Sequence, residues 1–257
     1  MVDFYWYLIN IKSAPCHEDV VANKELVVKR SEINGYLQRA VDFCIELNFY
    51  LPKWAFWSPE DWAQVGHEAD EVRERMLGWD VTDFGSNNFE KIGLLLFTIR
   101  NGLLTATKDP FVKDYAEKML LVGEGQVTPT HFHWNKMEDI INRGGGDLVL
   151  VLNNTDRSTV VIDRKNPVCV SVDGIRRTVP AGGSVTLLPG ESITLPPYCY
   201  HSFYGEPGRG TVLCGEVSRV NDDAKDNRFL DQLPRFPKIK EDVPPRFLLC
   251  KEYPAAK

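Results

Sequence analysis

Three of the five histidines of this chain fall in one spaced pattern, and no other feature narrows the possible folds as much. The pattern runs Gly125-x5-His131-x-His133-x4-Glu138-x6-Gly145, then Gly190-x5-Pro196, with His201 five residues further on. The stretch from Gly125 to Trp134 reads as extended, because Val127, Phe132 and Trp134 favour strand. Strand side chains alternate between faces, so His131 and His133 project to the same side with Cα atoms roughly 7 Å apart. Glu138 must come from beyond a bend, and Asn135-Lys136 supplies one. His201 lies on a distant strand, after the Gly190 turn and the Pro196-Pro197 pair. Side chains from separate strands meet where inward faces converge, as in a small barrel. The pattern offers three imidazoles and one carboxylate, a divalent-metal site with room left for a substrate. His17 and His67 have no such partners and are read as having no role in it.

The rest of the chain suits that reading. At 257 residues it can bury a sizeable core. Its hydrophobic (43%) and charged (26%) shares are those of a soluble globular protein, and a net charge of -6 argues against nucleic acid or an anionic membrane as partner. No apolar run reaches the length of a membrane-spanning helix. The apolar start, residues 1–11, lacks a basic leading segment and is not read as a signal peptide. Six scattered cysteines contain no C-x-x-C, so they are expected to be reduced thiols in a cytoplasmic protein.

The periodicity divides the chain. Residues 1–28 form an N-terminal extension without a clear assignment. Residues 29–113 read as mainly helical. Apolar positions from Ile33 to Ile45 follow the 3.6-residue period, and Ser58-Pro59 reads as a helix start. Residues 114–257 switch to a period of two and end in a Pro-rich tail. Strands are expected over 115–122, 126–134, 147–152, 159–162, 168–172, 175–179, 184–187, 192–195, 200–204 and 211–217. Many short strands at regular spacing imply a sandwich or closed barrel. The fold class is therefore mainly β, a jelly-roll barrel with N-terminal helices.

Nitrogen and oxygen ligands without thiolate suit Mn, Fe, Co, Ni or Zn. Such a site supports isomerisation of a hydroxy-carbonyl compound with the metal as Lewis acid, or metal-dependent oxygenation. Isomerisation also needs a base. A symmetric hairpin between 200–204 and 211–217 would set His201 opposite Cys214 and turn Glu216 inward. A slip of one residue would turn it outward, leaving a solvated carboxylate. Lys118 is a second candidate, since either it or Glu117 must face into a barrel. Lys136 is read as pointing to solvent at its bend. Trp134 is read as packing, and the polar loop 221–227 as solvated.

The two motifs resemble those of the cupin superfamily, except that Tyr198 replaces the glycine before the last histidine and Gly205 stands where Asn is common. A closer resemblance covers roughly 29–253: Gly78-Trp79-Asp80-Val81-Thr82-Asp83-Phe84-Gly85, Thr128-Pro129-Thr130-His131-Phe132-His133-Trp134, the whole of 138–146, Pro189-Gly190-Glu191-Ser192-Ile193, and Gly215-Glu216-Val217-Ser218 with Asn221-Asp222-Asp223. These segments are similar to the D-lyxose isomerase family. That resemblance implies a cupin-type barrel and a homodimer. It implies interconversion of D-lyxose with D-xylulose and of D-mannose with D-fructose, typically with manganese. It also implies His131, His133, Glu138 and His201 as metal ligands, with Lys118 and Glu216 as catalytic groups. In the expected mechanism the open-chain sugar forms a metal-stabilised enediolate and Glu216 moves the proton. A cupin dioxygenase and a non-catalytic sugar-binding cupin are the alternatives the motifs leave open.

Overall fold

The computed structural model describes residues 27–104, 108–222, 225–231 and 238–257. The apolar start, Cys16 and His17 lie outside them. A short strand β1 (Val27–Lys29) leads into helix α1 (Arg30–Glu46). The Glu32 carboxylate accepts the Lys29 backbone N–H at 2.9 Å and places negative charge in the first turn. Ile33, Leu37, Ala40, Val41 and Cys44 form the buried stripe that the 3.6-residue period predicts. A short helix α2 (Pro59–Trp62) begins at Ser58, whose hydroxyl accepts the Asp61 N–H at 3.1 Å. Helix α3 (Asp70–Glu74) follows.

The strands are β2 (Gly78–Thr82), β3 (Leu94–Arg100), β4 (Tyr115–Val122), β5 (Thr128–His133), β6 (Glu138–Gly145), β7 (Leu148–Asp156), β8 (Val161–Asp163) and β9 (Val168–Val172). Then come β10 (Ile175–Val179), β11 (Ser184–Leu187), β12 (Ser192–Leu195), β13 (Cys199–Gly205), β14 (Val212–Arg219), β15 (Asn227–Phe229) and β16 (Lys238–Lys240). They build two main sheets. The larger has the order β10-β9-β12-β6-β14-β4-β3-β2, and the smaller β11-β7-β13-β5-β15. All pairings within both are antiparallel. Their inner faces meet over Leu120, Ile140, Leu150, Leu152, Ile193, Leu195, Phe203 and Val212, the core of a jelly-roll half-barrel.

The expectation that 29–113 is mainly helical is corrected over 78–100, where β2 and β3 extend the large sheet. The reason is burial on both faces. On β3, Leu94 packs into the barrel core, while Leu95 and Phe97 pack outward against α1 with Trp79, Met119 and Leu213. A strand covered on both sides reads as an unbroken apolar run (Leu94-Leu95-Leu96-Phe97), with no alternation to detect. Strand β6, which carries Glu138, has no counterpart among the strands expected from periodicity.

The C-terminal tail closes the structure. Strand β16 pairs in parallel with β1, and the Cys250 N–H donates to the Trp79 carbonyl at the outer edge of the large sheet. Arg30, 2% exposed, is gripped by the carboxylates of Glu241 and Glu252. All five described cysteines are free thiols. Arg30→Met is expected to destabilise the fold. Breaking a buried ion pair costs ~3–5 kcal/mol, and the loss here should fall at or below that range, because both carboxylates keep contact with water. Urea denaturation of this variant beside Glu241→Gln, which should cost less, measures it.

Candidate metal centre

The registers of the large sheet bring a line of polar groups to one face. Directly paired residues share a face, and the pairs run Ile140–Glu216, Glu216–Lys118 and Lys118–Thr98 across β6, β14, β4 and β3. One row along, Glu138 pairs with Ser218. From the smaller sheet, β5 presents His131 and His133, and β13 presents His201 directly opposite His131. The imidazoles of one sheet thus face the carboxylates and Lys118 of the other across one cavity, which Phe84, Phe203 and Phe229 also line.

His131, His133 and His201 form a cluster able to coordinate a divalent metal ion: each offers a ligand atom, all within 4.8 Å of one another. The His131 and His201 rings donate from Nδ1 to the carbonyls of Pro129 (2.8 Å) and Cys199 (3.1 Å). In a neutral ring this leaves the Nε2 lone pair facing the cavity. Burial pushes the His131 ring well below the ordinary imidazole value, reinforced by His201 and His133, and burial likewise lowers His133. Glu138 Oε1 lies 3.1 Å from His201 Nε2 and 3.2 Å from His133 Nε2, yet is buried without a hydrogen-bond partner. With the His201 Nδ1 proton on the Cys199 carbonyl, its Nε2 meets Glu138 Oε1 as acceptor facing acceptor, which is unfavourable unless a cation lies between them. The donor set therefore fits a divalent ion, with Glu138 as the fourth group aimed at it.

Beside the cluster sit three further charged groups, all at most 5% exposed. Lys136 Nζ bonds Glu216 Oε1 at 2.8 Å and Glu138 Oε2 at 2.9 Å. Lys118 Nζ is 3.5 Å from Glu216 Oε1. Burial alone would raise the Glu216 carboxyl, but Lys118 and Lys136 outweigh it and hold the group below its ordinary value, and so ionised. Glu138 follows the same logic. Burial raises it, while His133 (when protonated) and Lys136 pull it well below the usual carboxylate range.

Two sequence expectations are overturned. The hairpin that set His201 opposite Cys214 does not form: β13 pairs with β5 and β7, and β14 with β4 and β6. Glu216 still turns inward, through its register with Lys118. Lys136 does not point to solvent. The Asp226 carboxylate accepts the backbone N–H groups of Asn135 (2.9 Å) and Lys136 (3.0 Å), a clamp that folds the turn so Lys136 enters the barrel. Asp226 lies in the loop read as merely solvated. The strand phase of β4 is now defined: Lys118 faces the cavity, while Glu117 pairs with Arg100 on the other side. Trp134 packs edge-on against Phe132 and Tyr198. Tyr198, in the glycine position of the second motif, adopts φ 65° and donates its N–H to the His133 carbonyl, so the turn before His201 keeps the backbone a glycine would give it. His67 is exposed and bonded to Asp70.

An antiparallel half-barrel with a metal-binding histidine cluster inside is the architecture of a cupin-type metal enzyme. The D-lyxose isomerase family matches residues 28–253, and the chain belongs to that family of sugar isomerases. Relatives described as D-lyxose/D-mannose isomerase, from Serratia proteamaculans and Escherichia coli O157:H7, are each 50% identical over 227 residues, covering 88% of this chain and 98% of their own. Among solved structures, the L-ribose isomerases of Acinetobacter sp. DL28 (TM-score 0.56, 12% identity) and Cellulomonas parahominis (TM-score 0.55, 15% identity) share the fold. Each alignment covers 84% of this chain, and 99% and 100% of those chains. No helix among the described residues is long and apolar enough to cross a membrane.

His133→Ala should leave a folded protein that has lost tight metal binding. Elemental analysis of the purified variant, with circular dichroism to verify folding, is the measurement. Full metal occupancy would remove His133 from the ligand set.

Proposed function

We propose that this protein interconverts D-lyxose with D-xylulose and D-mannose with D-fructose, with His131, His133, Glu138 and His201 holding the metal. The observation that carries the reading is the meeting of two unlike sets in one cavity: a metal-binding cluster from one sheet and an ionised acid–base group, Glu216, from the other. Family membership and the named relatives support the substrate class. A divalent ion there supplies Lewis acidity toward the adjacent oxygens of an open-chain sugar, which acidifies the proton on the carbon beside the carbonyl.

Glu216 takes that proton and returns it to the neighbouring carbon, while the hydroxyl proton passes from one of the two adjacent sugar oxygens to the other. Lys118 and Lys136 keep Glu216 ionised, the form a base requires, and both ammonium groups line the cavity that would take the sugar. The apolar wall of Phe84, Phe203 and Phe229 limits water at the reacting carbons. An oxygenase needs no carboxylate–lysine pair beside its metal, so these groups favour proton transfer over oxygenation. Manganese is our choice of ion, homodimer our choice of assembly, and the cytoplasm, where buried thiols stay reduced, our choice of compartment.

Glu216→Gln is expected to retain metal and lose ~10²–10⁴-fold in turnover. Lys118→Met should lose less, and Glu117→Gln should match wild type. The assay is anaerobic, on metal-stripped protein reloaded with each dication, with D-lyxose and D-mannose as substrates. Turnover that depends on oxygen, or none with any ion, would defeat the isomerase reading. Near-normal activity in Glu216→Gln would remove Glu216 as the base.

A further inference from the structure

The chain passes from His133 to Glu138 through four residues. Strand β5 ends at His133 in the smaller sheet, and β6 begins at Glu138 in the larger. The crossing between them, Trp134 to Met137, carries the chain from one sheet to the other and turns Lys136 into the barrel. A lysine in a polar turn is ordinarily drawn to water, because burial strips the hydration of its ammonium. Lys136 is instead 3% exposed, with Nζ 2.8 Å from Glu216 Oε1 and 2.9 Å from Glu138 Oε2.

One residue organises the crossing. The Asp226 carboxylate accepts three N–H groups: the Asn135 backbone (2.9 Å) and side chain (3.1 Å) at Oδ1, and the Lys136 backbone (3.0 Å) at Oδ2. The Asp226 backbone carbonyl accepts the Trp134 N–H at 3.0 Å. Three consecutive residues are thus tied to one. Successive backbone N–H groups aimed at a common centre form a nest for an anion, and here the protein supplies the anion itself. Bonds to an ionised acceptor are shorter and stronger than neutral ones. Asp226 is buried and is held in turn. Its N–H donates to the Asp222 carbonyl at 2.9 Å, and the next three residues form β15, where Asn227 and Phe229 pair with His133 and His131. The carboxylate is therefore fixed to the same backbone that borders the histidine strand.

We propose that Asp226 is a positioning residue for the isomerase site: its carboxylate shapes the crossing so that Lys136 stands between Glu138 and Glu216. It acts through the backbone of Asn135 and Lys136 and does not itself line the cavity. The reach of Lys136 Nζ to the two carboxylates starts from a Cα whose own N–H Asp226 holds. Without the nest the crossing relaxes, and Lys136 turns toward water. Glu216 then loses an ammonium group bonded to it, and Glu138 loses the bond at Oε2. The inference rests on the reading of Glu216 as base. Its structural half, the placement of Lys136 by Asp226, is measured without turnover.

The test uses Asp226→Asn, which fills the same space. An amide offers one oxygen and one NH2 group, so in either orientation an N–H must face a backbone N–H and the nest is broken. Asp226→Asn should keep full metal by elemental analysis and melt cooperatively. It should lose kcat by on the order of tenfold to a hundredfold, the scale of a reacting group misplaced by about 1 Å, with KM changed less. Lys136→Met should lose at least as much, and the double variant should be no worse than Lys136→Met, as for residues that act through one another. A residue that merely stabilised the fold would add its own loss to that of Lys136→Met. The crystal structure of Asp226→Asn should show Lys136 Nζ beyond hydrogen-bond range of Glu216, more than about 3.5 Å away. In the wild-type protein, the amides of residues 134–136 should be protected from hydrogen exchange although they lie outside the strands.

Unchanged kcat in Asp226→Asn, a double variant in which the two losses multiply, or Lys136 still bonded to Glu216 in the variant crystal would each overturn the proposal. So would wild-type amides at 134–136 that exchange as fast as those of an open loop, the measurement that decides should Asp226→Asn fail to fold. If the wild-type protein isomerises no sugar with any ion, the functional reading fails. The variant crystal and the exchange rates then still decide whether Asp226 places Lys136.

Discussion

Charge taken out of water needs partners at short range, and the interior of this barrel carries four charged groups together with three imidazoles. An isolated ion in such a place would cost several kcal/mol or lose its charge. Here Lys136 bridges Glu138 and Glu216, and Lys118 lies between Glu216 and Asn221. The remaining imbalance sits at Glu138 Oε1, which faces the His201 Nε2 lone pair left by that ring's bond to the Cys199 carbonyl. That imbalance is what a bound dication would relieve. Electrostatic satisfaction of the site and its capacity for metal are thus two aspects of one arrangement.

The fold makes such an interior possible by separating its duties. The outer face of β2, β3, β4 and β14 is packed by α1, and the far end of the barrel is filled by aliphatic side chains. Stability therefore does not depend on the end that holds the polar groups. The tail adds to this through the Arg30 clamp and the cover over the β2 edge. The active-site turns are held in the same spirit, by Asp226 beneath the 134–136 turn and Asn101 beneath Asn221. Both are polar residues in loops whose side chains substitute for missing strand neighbours. Rigid support of this kind holds Glu216 and the two lysines in fixed positions around the cavity.

The clustered histidines and Glu138 are legible as candidate ligands because strand alternation and a bend are local properties, readable from spacing alone. The same is true of the stripe on α1 and of the Ser58 cap. The short strands from Val168 to Leu195 announced themselves because each has a turn at either end. What stayed hidden has a physical reason in each case. Strand β3 is buried on both faces and so lacks a period. Lys136 was misjudged because its direction depends on Asp226, ninety residues later. The inward turn of Glu216 was anticipated through a hairpin that does not exist. It arises from pairing with β4, a strand almost a hundred residues earlier.

Sequence by itself determined the chemistry available: three imidazoles and a carboxylate in phase, no thiolate among them, and a mainly β chain able to converge them. Only the tertiary structure decided which charged groups stand beside that cluster and how they share their hydrogen bonds. Alternation along a strand is set by the geometry of consecutive peptides, whereas register between strands and the pairing of buried charges are set by contacts between residues far apart in the chain. The placement of Glu216, Lys118 and Lys136 around one cavity belongs wholly to the second kind.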